Sequence, residues 1–144
     1  MQPFNYTSQD ANLAPTEAER RDGPAYLEAI CFNKSGTAIS AGDSVKFETA
    51  VVPLGRCVTK SAAALDEPIC GVAKEDIPDG DQGLVRFKGI ILNARVTVGV
   101  AAGELLTADD ALSGGLKTGV AGTNHIVAYA LQAAVALKAD VWVL

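Results

Sequence analysis

The chain runs through one pattern and then repeats it. Thr37-Ala38-Ile39-Ser40-Ala41-Gly42-Asp43-Ser44-Val45 aligns with Val98-Gly99-Val100-Ala101-Ala102-Gly103-Glu104-Leu105-Leu106, which sets Gly42 against Gly103 at an offset of 61 residues. Further on, Gly83 falls against Ala139 at an offset of 56, so the second copy is slightly shorter between its two motifs. Each copy reads as apolar strand, Ala-Gly-acid turn, strand, loop, then a Val-Ala hairpin. A repeat of this length constrains the architecture more than any single residue does. Two copies are too few for a solenoid, which needs about three or more to bury a continuous core, so the expectation is a duplicated half-barrel or sandwich.

The clearest hairpin lies between Pro68 and Gly89. The short apolar run Ile69-Cys70-Gly71-Val72-Ala73 leads into the turn Asp76-Ile77-Pro78-Asp79-Gly80-Asp81 and out along Leu84-Val85-Arg86-Phe87. Proline and glycine bounding two short runs is the signature of paired strands. The second copy goes from Ile126-Val127-Ala128-Tyr129-Ala130 through Gln132-Ala133-Ala134 to Lys138-Ala139-Asp140-Val141-Trp142-Val143. Elsewhere, Tyr26 to Phe32 is apolar on nearly both faces, which suits a strand buried on both sides, although periodicity alone also allows a short helix. Val45, Phe47 and Thr49 alternate with Lys46 and Glu48 as a half-exposed strand. Pro53 stops it or marks an edge, and Cys57-Val58 belong to another short strand. Gly89 is expected to bend or bulge the chain before Ile90. Beyond it Ile90, Leu92, Ala94, Val96 and Val98 would share one face. Short strands are expected around Lys117 and Ile126. The closing apolar strand Val141-Trp142-Val143-Leu144 must be paired, inside the barrel or by another subunit.

At 144 residues the chain is one domain or one domain with a tail. Residues 1–24 stand apart, with Pro3, Pro15, Pro24 and few β-branched side chains, and read as an N-terminal arm, with a helical turn capped by Thr16 and Glu19. Residues 25–144 form the β-barrel domain. Half of the residues are hydrophobic (49%), there are 14 glycines, and only 20% of the chain is charged, a balance that favours an all-β domain over a helical bundle. The fold expected is a compact barrel or sandwich of short antiparallel strands built from two similar halves, with the arm extended. The formal charge of −5 with scattered basic residues argues against a nucleic-acid partner. No run of 18 apolar residues argues for a membrane span, and the N-terminus has neither the basic nor the apolar region of a secretory signal. Cys31, Cys57 and Cys70 read as reduced core residues.

Catalysis needs convergent groups, and none converge here. The one histidine, His125, follows Asp43-Ser44 in the wrong order for a chymotrypsin-like triad, and the second copy replaces that serine with Leu105. Gly115-Leu116-Lys117-Thr118 resembles a P-loop only faintly, lacking the glycine before the lysine. Cys31, Cys57, Cys70 and His125 have no metal-ligand spacing. Asp76, Asp79 and Asp81 lack the frame of a calcium loop and read as a solvated turn. Asn5-Tyr6-Thr7 and Asn33-Lys34-Ser35 match the glycosylation sequon, which carries little weight without an export signal. No cofactor, no metal and no enzymatic activity are expected.

Ser40 to Lys60, then Ile69-Cys70-Gly71-Val72-Ala73, then Gly83 to Gly89, then Val98-Gly99-Val100-Ala101-Ala102-Gly103-Glu104 resemble, in order and spacing, the small β-barrel capsid decoration (cement) proteins of tailed bacteriophages. The likeness covers residues 36 to 144 and departs at Ala128-Tyr129-Ala130, where the family shows Gly-x-Ala. It implies a structural virion protein on the outer surface of the expanded head, made in the host cytoplasm. It also implies a homotrimer that clamps neighbouring major capsid subunits and binds neither nucleic acid nor membrane. The alternative is a non-enzymatic β-domain binding module, tail-associated or carbohydrate-binding, although aromatics are only 6% of the chain. Tyr26, Phe32, Phe47, Phe87 and Trp142 sit on strand patterns that predict core or subunit interface. The residues expected at the capsid or subunit interface are Phe4, Tyr6 and Leu13 of the arm, with Tyr26 and Trp142.

Overall fold

A computed structural model describes residues 26–49, 56–64 and 68–144. The arm, with its helical turn and with Phe4, Tyr6 and Leu13, lies outside the described residues, as does Pro53. Among the described residues nine strands follow in chain order: β1 (Leu27–Asn33), β2 (Ser44–Phe47), β3 (Cys57–Lys60), β4 (Gly71–Ala73), β5 (Gln82–Arg95), β6 (Leu105–Ala108), β7 (Leu116–Thr118), β8 (Ala128–Ala130) and β9 (Lys138–Val143). They form one sheet in the order β1-β3-β2-β4-β5-β9-β8-β6-β7, and β1 pairs again with β5. That extra pairing closes β1, β3, β2, β4 and the first half of β5 into a five-stranded barrel. The second set repeats the order. The far half of β5 stands where β1 stood, and a parallel bridge from Val96 to Leu116 takes the place of the parallel β1–β3 pairing. Every other strand pairing is antiparallel.

The duplication reaches individual hydrogen bonds. The Gly42 N–H donates to Ala73 O and the Gly103 N–H to Ala130 O, both at 2.8 Å. Ala73 N–H returns to Asp43 O, as Ala130 N–H returns to Glu104 O. Lys74 N–H reaches Leu84 O, as Leu131 N–H reaches Asp140 O. Both turn glycines take φ near +90°, at 93° and 86°, a conformation that costs any residue with a Cβ.

Each half has its own core. Cys31, Ile39, Val45, Val58, Ala73, Ile77 and Val85 fill the first, and Ile91, Ala94, Leu106, Leu116, Val141 and Val143 are central to the second. Val72 of the first half is buried in the second half's core, so the two barrels are packed together.

Two expectations need correction. β1 is not buried on both sides: Leu27 and Ile30 are 59% and 45% exposed, because only the end of the strand, from Cys31, turns into the core. The bulge expected at Gly89 is present beside it: the register against β1 shifts between Leu27–Lys88 and Glu28–Arg86, and Gly89 holds φ 108° within a continuous β5, at the crossing from one barrel to the other. A second register shift, which the sequence reading did not anticipate, comes between Ile91 and Ala94, where Asn93 adopts φ 60°. That extra residue reverses the inside–outside phase. Ile91, Ala94 and Val96 are buried, whereas Ile90, Leu92 and Val98 point outward. The aromatics, expected in core or subunit interface, are not fully buried in the chain, although Phe87 packs against the first core. Tyr26 and Phe47 are each 43% exposed, Phe32, Phe87 and Trp142 are half-buried, and the buried core of the described residues is aliphatic.

Candidate interaction surfaces

The polar side chains mostly hold the fold itself. Asp43 follows the first turn glycine and is wholly buried where the two halves meet. Its Oδ1 accepts from Arg95 Nε at 2.8 Å, Oδ2 accepts from the Ser40 N–H at 2.9 Å, and Lys60 Nζ stands 3.8 Å away. Beside it Ser44 and Ser61 share a hydroxyl–hydroxyl bond of 2.9 Å, the Ser44 N–H donates to Gly114 O, and the Gly114 N–H donates to Ser61 Oγ. This polar seam ties β2 and β3 to the loop between β6 and β7. Sequence reasoning took Gly42-Asp43-Ser44 for a plain turn and missed the seam, since Arg95 lies far along the chain.

The carboxylates after β4 are tied in as well. Asp76 Oδ1 accepts from the Ala41 N–H and Asp79 Oδ1 from the Gly36 N–H, each at 2.8 Å, so they pin the loop after β1 and do not simply face solvent. His125 lends its carbonyl to the Thr107 hydroxyl. The described residues contain no group of three or more His, Cys, Asp or Glu placed to hold a metal. All three cysteines are free thiols. Burial, and then the neighbouring Cys31, push the Cys70 thiol up to about 12, so it carries no thiolate at neutral pH. A cavity of about 170 Å³ lies between the halves, lined by Ile69, Val72, Leu116, His125, Val127 and Val143. It is smaller than the roughly 300–1,000 Å³ of ordinary ligand sites.

A second, open cavity of about 340 Å³ is lined by Lys74, Arg86, Ile90, Ile91 and Leu92, and the rest is surface. Tyr26 and Trp142 lie on different stretches of it. Tyr26 lies just before β1, its ring 4.2 Å from the Arg86 guanidinium carbon. Arg86 in turn donates to Glu28 Oε1 from Nε (3.1 Å) and Nη2 (2.9 Å), and to Ile90 O from Nη1 (2.5 Å). Burial alone would raise the Glu28 carboxyl, but the hydrogen bonds and charge of Arg86, with Lys74 at 3.5 Å, hold it below its ordinary value. Around this cluster Leu27 and Ile30 are exposed. Trp142 belongs to a row that crosses four strands of the second half. Leu105 pairs with Tyr129, Tyr129 with Trp142, and Trp142 with Ile90, all on the outer face. A third apolar spot is the rim of the first barrel, where Phe47 and Phe87 stack with ring centres 5.8 Å apart. Sequence reasoning placed these aromatics in core or subunit interface without choosing; the signal available to it was the alternation along β5 and β9, which gives face but not exposure.

These features define an all-β module whose buried charges serve its own seam and whose outer faces are apolar in patches. The sequence pattern of the phage cement proteins matches residues 29–144, and the chain belongs to that family. It is a capsid-associated structural protein of a phage virion. No curated protein matches its sequence. Among solved structures it is similar to the N base of the head fiber gp8.5 in bacteriophage phi29. That likeness has a TM-score of 0.55 at 13% identity, over 82% of this chain and 93% of that one, and it extends to the fold alone.

Proposed function

We propose that this protein binds the outer surface of an expanded phage head as a homotrimer and clamps neighbouring major capsid subunits, with no catalytic role. The family membership over residues 29–144 carries the reading. A ligand that binds only the assembled shell stabilises it by mass action, and many copies multiply the effect. A net charge of −5 suits an outer surface better than one facing packaged DNA. We place the shell contact around the start of β1, where Tyr26, Leu27 and Ile30 are exposed and where residues 1–24, with Phe4, Tyr6 and Leu13, join the barrel.

The test is cosedimentation of the full chain, and of a chain lacking residues 1–24, with expanded and unexpanded heads of the same phage. The full chain should saturate expanded heads at a copy number comparable to that of the shell subunits. The shortened chain should stay folded and bind more weakly. Only a few copies per head, or equal binding to both kinds of head, would exclude a clamp.

A further inference from the structure

The two halves are equivalent in fold but not in what covers them. In the first half, the outer row matching Leu105–Tyr129–Trp142–Ile90 is Ser44–Val72–Arg86–Glu28, joined by the same ladder pairs. That row is covered. Ser44, Val72 and Arg86 are 0%, 1% and 9% exposed, and Val72 sits in the core of the second half with Leu116, Val127 and Val143. Among the described residues nothing covers the second half's row: Ile90 is 44% exposed, and Leu105, Tyr129 and Trp142 are half-exposed. The receiving side is unequal in the same way. Val143 corresponds to Phe87 and Ala108 to Phe47. Val143 is buried in the core that takes Val72 and Ala108 is buried as well, whereas Phe47 is 43% exposed.

A terminal module in a stack ordinarily presents a polar outer face. Here the outer face is aromatic and aliphatic, and the rim it would match is a pair of stacked phenylalanines. Among the described residues the intrachain junction therefore has an uncovered copy of each of its two sides, and the outer row continues that junction directly, since Arg86 of the covered row donates to the backbone of Ile90.

We infer that a second copy of this chain covers the Tyr129–Trp142 row, seating it on its own Phe47–Phe87 rim as Val72 seats within one chain. The contact is head to tail, so each copy uses both surfaces, and such a contact makes a ring when its rotation closes. The inference rests on the reading that the protein works as several copies and specifies which faces join them.

The experiment is the mass of the full chain by sedimentation, for the wild type, Tyr129→Glu, Phe47→Glu, and the two variants mixed. The wild type should assemble, and each variant alone should be a folded monomer by circular dichroism. The mixture should give a complex of two chains, because the Phe47 variant keeps an intact outer row and the Tyr129 variant an intact rim. Should Phe47→Glu fail to fold, Phe47→Gln replaces it in the mixture. A wild type that stays monomeric, an assembled Phe47 variant, or a mixture that stays monomeric would each overturn the head-to-tail contact. Binding of the same proteins to expanded heads is scored separately. A monomeric wild type that still saturates heads leaves the clamp standing without this contact, and loss of head binding in Tyr129→Glu with assembly intact gives the row to the shell.

Discussion

Asp43 is the residue on which the seam depends. Its carboxylate is wholly buried, while its partners Arg95 and Lys60 keep side chains 31% and 27% exposed. Removing one member of a buried pair ordinarily costs about 3–5 kcal/mol, because the other charge is stranded. Here the cations can reach water, so Asp43→Asn is expected at the lower end, about 3 kcal/mol, by urea denaturation. Glu28 provides a pH signature. Its folded carboxyl titrates below the ordinary 4.5, so the stability it contributes is complete above that value and is lost as pH falls through the lowered one. Glu28→Gln should flatten the acid side of the stability profile below about pH 4.5, and an unchanged slope there would show that Arg86 does not hold it. Trp142→Ala should cost the monomer about 1–2 kcal/mol, less than a fully buried aromatic, since the ring is half-exposed.

At the scale of elements, the duplication supplies its own controls. A Cβ on Gly42 would meet Asn93 O at 2.5 Å as well as a φ of 93°, whereas one on Gly103 would meet nothing within 4 Å at a φ of 86°. Gly103→Ala should therefore lose only the left-handed penalty, about 1–2 kcal/mol. Gly42→Ala should lose clearly more, and equal losses in thermal denaturation would mean that the Asn93 bulge yields. These turns were legible in the sequence because Ala-Gly-acid followed by a strand has few other solutions. The short strands β3, β4, β7 and β8 were legible from their glycine and proline boundaries. The phase of β5 beyond Gly89 was not. An unbroken alternation of apolar residues looks like one face, and only Asn93, a residue that tolerates positive φ, marked the slip. The buried seam was illegible for another reason: Asp43 and Arg95 are 52 positions apart and share no local pattern.

For the whole molecule, the two similar halves were legible and their closure into barrels was implied, but the way one half packs on the other was not. Nothing in a repeat states which of two equivalent faces will be covered. Because Val72 belongs to the second core, the halves should unfold as one cooperative unit. Val72→Ala is expected to lower that transition by about 2 kcal/mol without dividing it, and Val72→Asp, which puts a charge into the junction, to divide or abolish it. A single, fully retained transition in Val72→Asp would mean that the junction adds little to stability.

The fourteen-residue β5 has a mechanical consequence. It begins in one barrel and ends in the other, so the two are joined through continuous backbone as well as through a packed junction. Its first half is held by β1 and β4, and its second by β9, with hydrogen bonds lying across the strand axis. A pull along that axis loads these bonds in shear, many at once, instead of peeling them singly. Tension applied at either barrel is thus carried by the strand that both barrels share, and a protein built in this way yields by unfolding before it yields by parting.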